Sequence, residues 1–369
     1  MWIHEQEDWP NFVWDTEVLA SKLTEMRHRQ GRLLGRMEGL GFDLRQEASL
    51  DVLTSDVVKS SAIEGEYLNP EEVRSSIARR LGIDVAGLVP ASRDVEGIVE
   101  MMLDATQMFE KPLTKERLLS WHAALFPTGR SGMHRITVGA WRTLDAGPMQ
   151  VVSGPIGRER VHFEAPGAQR LEVEMAAFLE WFNKQDNIDG VLRAGIAHFW
   201  FVTIHPFEDG NGRIARAISD MVLARADGTS DRFYSLSNQI EFERKEYYDQ
   251  LERQQSGVLD ITNWLDWFLD CFGRAVLNAE QALGRILFKA QLWDKINQNP
   301  VNERQRLVIN RMLEPDFKGY MNTSKYAKLA KCSNDTALRD IQALKERGIF
   351  SQNPGGGRST SYRLLEMLE

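Results

Sequence analysis

The spacing of apolar residues predicts helices along most of the chain. Apolar residues recur at near-helical intervals from Leu19 to Met37, and Gly39 follows where that pattern ends. A second helical run, DVLTSDVVKSSAIEGE, stops near Gly65, and PEEVRSSIARRLG begins another helix with Pro70 in its first turn. The N-terminal part of the chain is therefore expected to be helical.

One stretch departs from this helical spacing. GAWRTLDAGPMQVVSGPIGRERVHFEAPG contains two β-type runs, MQVV and RVHF, separated by a turn rich in glycine and proline. The pattern predicts a β-hairpin at about Met149–Phe163, set among helices.

The pattern changes again near the C-terminus. A helix around Glu303–Leu313 precedes a short helix, a turn, a third helix (SNDTALRDIQALKERG) and two short strands around the glycine-rich stretch of IFSQNPGGGRSTSYRL. This order predicts a winged helix, with its third helix capped near Ser333 and its wing tip at Arg358. Three side chains of that helix are expected to face inward: Leu338, Ile341 and Leu344.

These patterns together predict a mainly α-helical protein of several domains, because 369 residues exceed one typical core. We expect an N-terminal helical region over residues 1–93, a helical domain with the β-hairpin over residues 94–290, and a winged helix-turn-helix domain over residues 301–369.

Composition is that of an ordinary soluble protein, with 43% hydrophobic and 27% charged residues. The chain shows no signal-like start and no apolar stretch near the roughly 20 residues of a membrane helix. Its two cysteines are too few for a disulfide framework. We therefore expect a cytoplasmic protein with no membrane partner.

The charge is unevenly distributed. The net charge is -8, yet residues 301–369 hold 12 Lys and Arg against 8 Asp and Glu. A mildly basic winged helix fits DNA binding, and it fits equally a protein-interaction or dimerisation module of the same fold. DNA and a second copy of the chain both stay open as partners.

The run HPFEDGNGRIAR, from His205 to Arg216, concentrates the chemistry. Helical spacing runs up to it and resumes after it, so it is a loop that opens a helix. The N-terminus of a helix offers unpaired N–H groups to anions, and Gly210 and Gly212 leave room for a phosphate near the main chain.

The side chains of this run suit a nucleotide. Arg213 and Arg216 share one helix face and suit a di- or triphosphate. Asp209 offers an oxygen ligand to Mg²⁺, and His205 is available as a neutral general base near pH 7. No Walker A sequence is present, and a lone histidine is not a zinc site.

The run resembles the HxFx[D/E]GNGRxxR motif of Fic-domain proteins. It matches at His205, Phe207, Asp209, Gly210, Asn211, Gly212, Arg213 and Arg216. The resemblance implies a helical Fic core and a protein adenylyltransferase, which moves AMP from ATP to a Ser, Thr or Tyr hydroxyl of a target protein or of itself.

The same resemblance implies a role for each residue of the motif. His205 would deprotonate the hydroxyl, Asp209 would hold Mg²⁺, and Phe207 would point into the core. The phosphates would be held by Gly210, Asn211 and Gly212 at the α position, and by Arg213 and Arg216 at the β and γ positions.

The hairpin then resembles the Fic flap, which aligns the target side chain by strand pairing. The flap residues implied are Met149, Gln150, Val151, Val152, Ser153, Gly154, Val161, His162 and Phe163.

The earlier run SSAIEGE resembles the [S/T]xxxE[G/N] inhibitory motif of Fic proteins, at Ser60, Glu64 and Gly65. The carboxylate of Glu64 would pair with Arg216 and occupy the guanidinium that should receive the γ-phosphate. ATP would then bind with its α-phosphate misaligned, and the enzyme would inhibit itself.

Two other functions remain open at this point. The chain would fit a DNA-binding transcriptional regulator whose Fic core senses nucleotide. It would also fit a Fic enzyme that removes AMP or transfers another phosphate-containing group, although the intact arginine pair favours ATP.

Overall fold

The computed structural model describes residues 1–84, 87–144, 147–154, 158, 160–313, 317, 319–354 and 360–365. The protein is mostly helical, as predicted. It divides into two compact units, Met1–Ala279 and Glu280–Glu369. None of the described helices is long and apolar enough to cross a membrane.

The first unit holds the helices that precede and follow the loop of the sequence motif. In chain order they are α1 (Thr16–Glu38), α2 (Phe42–Ile63), α3 (Pro70–Leu81), α4 (Arg93–Gln107), α5 (Lys115–Leu125), α6 (Leu171–Asn183), α7 (Gly190–Ile204), α8 (Asn211–Asp227), α9 (Leu236–Phe242), α10 (Arg244–Gln255) and the start of α11 (Thr262–Gln298).

Two small antiparallel strand pairs lie between these helices. Strands β1 (Arg130–Ser131) and β2 (His134–Arg135) form the first pair, which the sequence analysis did not predict. Strands β3 (Gln150–Ser153) and β4 (Arg160–Glu164) form the predicted hairpin, with a register shift between Val151 and Val152.

Local chemistry explains where several helices begin and end. The Asp15 carboxylate accepts hydrogen bonds from the Glu17 and Val18 amides and so starts α1. The Asn69 side chain starts α3 by accepting the Glu71 amide. Gly82 ends α3 in the left-handed conformation, at φ 67°.

Helices α7 and α8 form the centre of the first unit. The sequence of α7 is apolar on every side, and its residues from Val191 to Ile204 are almost all buried. Helix α8 packs against α7, α4, α2 and α5. This packing fixes the loop that joins α7 to α8.

The second unit contains, beyond α11, the helices α12 (Glu303–Leu313), α13 (Thr323–Leu329) and α14 (Asn334–Glu346), then strands β5 (Phe350–Gln352) and β6 (Tyr362–Leu364). The strands pair antiparallel, and Met321 bridges to Tyr362. The order of elements is the one expected from the sequence. Assignment as a winged helix, and DNA binding by it, stay predictions.

One inward-facing residue of α14 was predicted incorrectly. Leu338 is 40% exposed, whereas Ala337 is buried with Ile341 and Leu344. Positions 337, 341 and 344 follow the i, i+4, i+7 spacing of one helix face, and position 338 does not continue it. Ser333 caps the helix as expected, and Arg358 lies outside the described residues.

Candidate active site

The loop between α7 and α8 depends on two unusual backbone conformations. His205 follows the last residue of α7 with φ 51°, in the left-handed region that non-glycine residues seldom occupy. Gly210 precedes α8 with φ 81°, and a Cβ there would lie 2.9 Å from the Phe126 ring. The chain thereby reverses and directs the N-terminus of α8 toward the loop.

Asn211 and Phe207 hold the middle of the loop. The Asn211 amide donates to the Phe207 carbonyl at 2.9 Å and accepts the Phe207 N–H at 3.0 Å. Phe207 is fully buried, as expected, and stacks on the His122 ring at 4.1 Å between centroids. The Asn211 side chain therefore shapes the loop here, and its contact with a phosphate stays a prediction.

His205 is positioned as a neutral imidazole. Its Nδ1 lies 3.1 Å from the Val202 carbonyl oxygen, so Nδ1 carries the proton and Nε2 carries the lone pair. Burial lowers the pKa of His205 to about 4. The imidazole is therefore uncharged, with Nε2 free to accept a proton, throughout the neutral pH range.

Asp209 is the candidate magnesium ligand. One carboxylate oxygen accepts a hydrogen bond from the Ser131 hydroxyl, and the side chain is 39% exposed. No group of three or more His, Cys, Asp or Glu within the described residues is arranged to hold a metal ion. One accessible carboxylate fits Mg²⁺, which commonly takes one or two carboxylates and completes its shell with water and substrate phosphates.

Arg216 is held by the end of α2. The guanidinium is 1% exposed; Nε donates to the Ser60 hydroxyl at 2.9 Å, and Nη2 donates to the Ser60 carbonyl at 2.8 Å. Nη2 also donates to Glu64 Oε1 at 2.8 Å. The ion pair expected between Glu64 and Arg216 is thus present.

Glu64 also covers the N-terminus of α8. A Cβ built on Gly212 would lie 2.1 Å from Glu64 Oε1, so the carboxylate rests directly against that glycine. The turn that carries Glu64 ends at Gly65, with φ 85°. The carboxylate thus lies at the helix end that the sequence analysis assigned to phosphate.

Arg213 has a carboxylate partner that sequence reasoning missed. Its Nη1 donates to Glu66 Oε2 at 2.5 Å, and its side chain is only 4% exposed. The guanidinium lies over the Phe126 ring at 5.0 Å. Burial raises the pKa of Glu66, while the charge of Arg213 opposes that rise. Each arginine of the motif is therefore ion-paired with a glutamate of the same chain.

A cavity of about 400 Å³ adjoins this pair. Its lining includes Arg213, Glu66, Asp94, Phe126, Arg130 and Ser131. Since Ser131 also contacts Asp209, the cavity lies beside both the second ion pair and the candidate metal ligand.

The predicted flap residues divide into two groups. Val151, Val152 and Val161 are exposed on the paired strands. Phe163 is buried against Trp2, with ring centroids 5.5 Å apart.

His162 belongs with the anchored residues of the hairpin. Its Nδ1 lies 2.7 Å from the Glu252 carboxylate, and its Nε2 lies 2.5 Å from the Ser153 hydroxyl. Of the other flap residues, Gln150 begins β3, Met149 precedes the strand and Gly154 follows it. Alignment of a target by this hairpin stays a prediction.

Two segments of the chain match known families. Residues 112–223 match the family described as "Fic/DOC family". This segment includes the loop from His205 to Arg216. Residues 2–83 match a family described as "Domain of unknown function (DUF4172)", and this segment contains Ser60, Glu64 and Glu66.

Curated relatives carry the name protein adenylyltransferase. Protein adenylyltransferase fic-1 of Caenorhabditis elegans is 30% identical over 173 residues, which are 46% of this chain and 31% of that protein. Protein adenylyltransferase Fic of Culex quinquefasciatus is 24% identical over 265 residues, 70% of this chain and 48% of that protein. The chain thus spans about a third to a half of the length of these relatives.

Solved structures share the fold. A Fic family protein from Desulfovibrio desulfuricans G20 aligns with a TM-score of 0.52 at 20% identity, over 94% of this chain and 97% of that chain. Fic-1 (aa134–508) from C. elegans aligns with a TM-score of 0.50 at 20% identity, over 72% and 74%. Motif, fold and matched segment agree that this chain carries a Fic domain, and residues 112–223 are the part similar to the Fic/DOC family.

Proposed function

We propose that the protein transfers AMP from ATP to a Ser, Thr or Tyr hydroxyl of a protein, its own chain included. The observation that carries the proposal is the composition of one loop. A neutral His205 lies at one end, and the N-terminus of α8, with Arg213 and Arg216 on its first turns, lies at the other. The names of the relatives support the same activity.

The proposed step is an in-line displacement at the α-phosphorus. His205 Nε2 takes the proton of the hydroxyl as its oxygen forms a bond to phosphorus. The bond from the α-phosphorus to the bridging oxygen breaks, and pyrophosphate leaves with that electron pair. Asp209 would hold a Mg²⁺ ion, which neutralises phosphate charge when bound.

The position of a label in ATP tests this step. We expect the Glu64→Gly protein, given Mg²⁺, to retain radioactivity from α-labelled ATP and none from γ-labelled ATP, measured on denaturing gels. Retention of the γ label would instead indicate phosphoryl transfer. Loss of both labels from the protein and from an added lysate would contradict any transferase activity on proteins.

We propose further that the end of α2 inhibits this reaction. Glu64 occupies the Arg216 guanidinium and covers Gly212, so a nucleotide phosphate cannot take that place while the contact persists. Ser60 adds two hydrogen bonds to the same guanidinium and holds it toward α2.

Glu66 extends this inhibition to the first arginine. Replacing Glu66 by glutamine should tighten ATP binding about 3- to 10-fold, because it frees the buried Arg213 guanidinium for a phosphate and removes a negative charge from the site. Isothermal titration with ATP measures the change. Glu71→Gln, on the exposed first turn of α3, is the matched control and should bind as the wild type does. An unchanged ATP affinity in Glu66→Gln would show that Glu66 does not contribute to inhibition.

A further inference from the structure

The structure assigns Arg142 as a positioning residue of the proposed transfer reaction: its guanidinium holds the His205 main chain in the conformation that presents the imidazole. The assignment rests on the proposed function of His205. Arg142 lies 63 positions before His205 in sequence, between β2 and β3. It stands at the start of the stretch that predicted the hairpin, and the sequence alone indicated no role for it.

The contacts of Arg142 converge on the end of α7. Nε donates to the His205 carbonyl at 2.8 Å, and Nη2 donates to the Ile204 carbonyl at 3.5 Å. Nη2 also donates to the Pro166 carbonyl at 2.5 Å. The main-chain N–H of Arg142 donates to the Pro206 carbonyl at 2.9 Å. The main-chain carbonyls of residues 204, 205 and 206 thus all accept hydrogen bonds from Arg142.

The C-terminal end of a helix is where its carbonyls need hydrogen-bond donors from outside the helix. The last carbonyls of α7 have no partner within the helix, and the negative end of its dipole favours a cation. His205 keeps φ 51°, a conformation that persists only when its surroundings impose it. The planar guanidinium reaches carbonyls of two separate segments, the end of α7 and Pro166, because its donors form a fixed fork.

Arg142 is also an unusual buried cation. The residue is 4% exposed, and its guanidinium forms no ion pair within the part of the chain that the structure describes. Burial lowers the pKa of Arg142 to about 10, so the group stays charged at neutral pH. Among the described residues this buried charge contacts only main-chain carbonyls. Such a charge is costly to retain, which favours a specific role over general stabilisation.

The charge of Arg142 also acts on the imidazole. Arg142 lowers the pKa of His205, in the same direction as burial, whereas the carboxylates of Glu64 and Asp209 raise it. Removing the positive charge should therefore move the titration of His205 to higher pH. A residue that only supported the fold would leave that titration in place.

The test follows the imidazole itself. In the full chain, labelled at its seven histidines, the His205 signal is assigned by its absence from His205→Ala and titrated by NMR. We expect Arg142→Gln to raise the apparent pKa of His205. Arg142→Lys, which keeps the charge and loses the fork, should leave that pKa nearly unchanged.

A second readout separates binding from catalysis. In the Glu64→Gly background, both Arg142 variants should lower kcat about 10- to 100-fold. The KM for ATP should stay within about 2-fold of the parental value, because a small displacement of the His205 imidazole slows proton transfer and leaves the phosphate ligands in place. If Glu64→Gly itself transfers no AMP, the proposed function fails while the titration still tests Arg142.

Arg225 provides a matched control. It is also an arginine whose pKa is lowered to about 10 by burial, and it donates to the main-chain carbonyls of Phe109 and Lys111 near the other end of α8. Arg225→Gln should lower the melting temperature and leave the His205 titration unchanged. An identical His205 pKa in Arg142→Gln and wild type, or equal shifts in the two glutamine variants, would overturn the assignment.

Discussion

The Glu64→Gly protein is expected to transfer AMP about 10- to 100-fold faster than the wild type. Glu64 engages Arg216 at 2.8 Å and lies against Gly212. Its removal frees a charged donor and the N-terminus of α8 for the terminal phosphates. Hydrogen bonds to charged groups contribute about 1.5–3 kcal/mol, and about 1.4 kcal/mol changes a rate tenfold.

Initial rates with α-labelled ATP and Mg²⁺ measure this effect. Glu64→Gln is the informative companion, because it keeps the shape of the side chain and removes its charge. Its rate of AMP transfer should lie between those of wild type and Glu64→Gly if the ion pair and the covering of Gly212 both contribute to inhibition. Equal rates for all three proteins would exclude an inhibitory role of α2.

The same substitution should alter stability in a ligand-dependent way. Without Glu64, Arg216 keeps its two bonds to Ser60 but loses its counter-ion in a buried position, which is destabilising. We expect a lower melting temperature for Glu64→Gly without nucleotide and a larger increase on adding ATP than in the wild type. An increase no larger than that of the wild type would argue against Arg216 as a phosphate ligand.

Sequence reasoning succeeded where the determinants are local. The helix boundaries at α3 and α12, the cap at Ser333 and the loop before α8 all depend on residues within a few positions of each other. The pairing of Glu64 with Arg216 spans 152 positions. It could be anticipated only because two separate motifs each resembled a family pattern.

The contacts that escaped sequence reasoning depend on tertiary geometry. Glu66 reaches Arg213 because the chain turns at Gly65 beyond the end of α2, where helical spacing no longer applies. Arg142 serves a loop from outside any regular element. The two-residue strands β1 and β2 are too short to show alternation, yet they place Ser131 against Asp209.

Replacing His205 by alanine should reduce AMP transfer about 10²- to 10⁴-fold in the Glu64→Gly background, the usual contribution of a general base. ATP affinity should stay within about 2-fold, because the imidazole Nε2 serves the hydroxyl and the phosphates have other ligands. Rates with α-labelled ATP, together with ATP titration, measure the two quantities. His28→Ala, on the exposed face of α1, should retain full activity.

The rate of AMP transfer should depend on pH through the protonation of His205. Transfer requires the unprotonated imidazole, and burial places the pKa of His205 at about 4. The rate should therefore rise as pH increases through about 4 and be independent of His205 titration from about pH 6 upward. An acid limb centred near the ordinary histidine value of about 6.5 would mean that His205 is not buried during catalysis. A variant without His205 that still transfers AMP at the parental rate would exclude it as the base, because no other imidazole lies on the loop between α7 and α8.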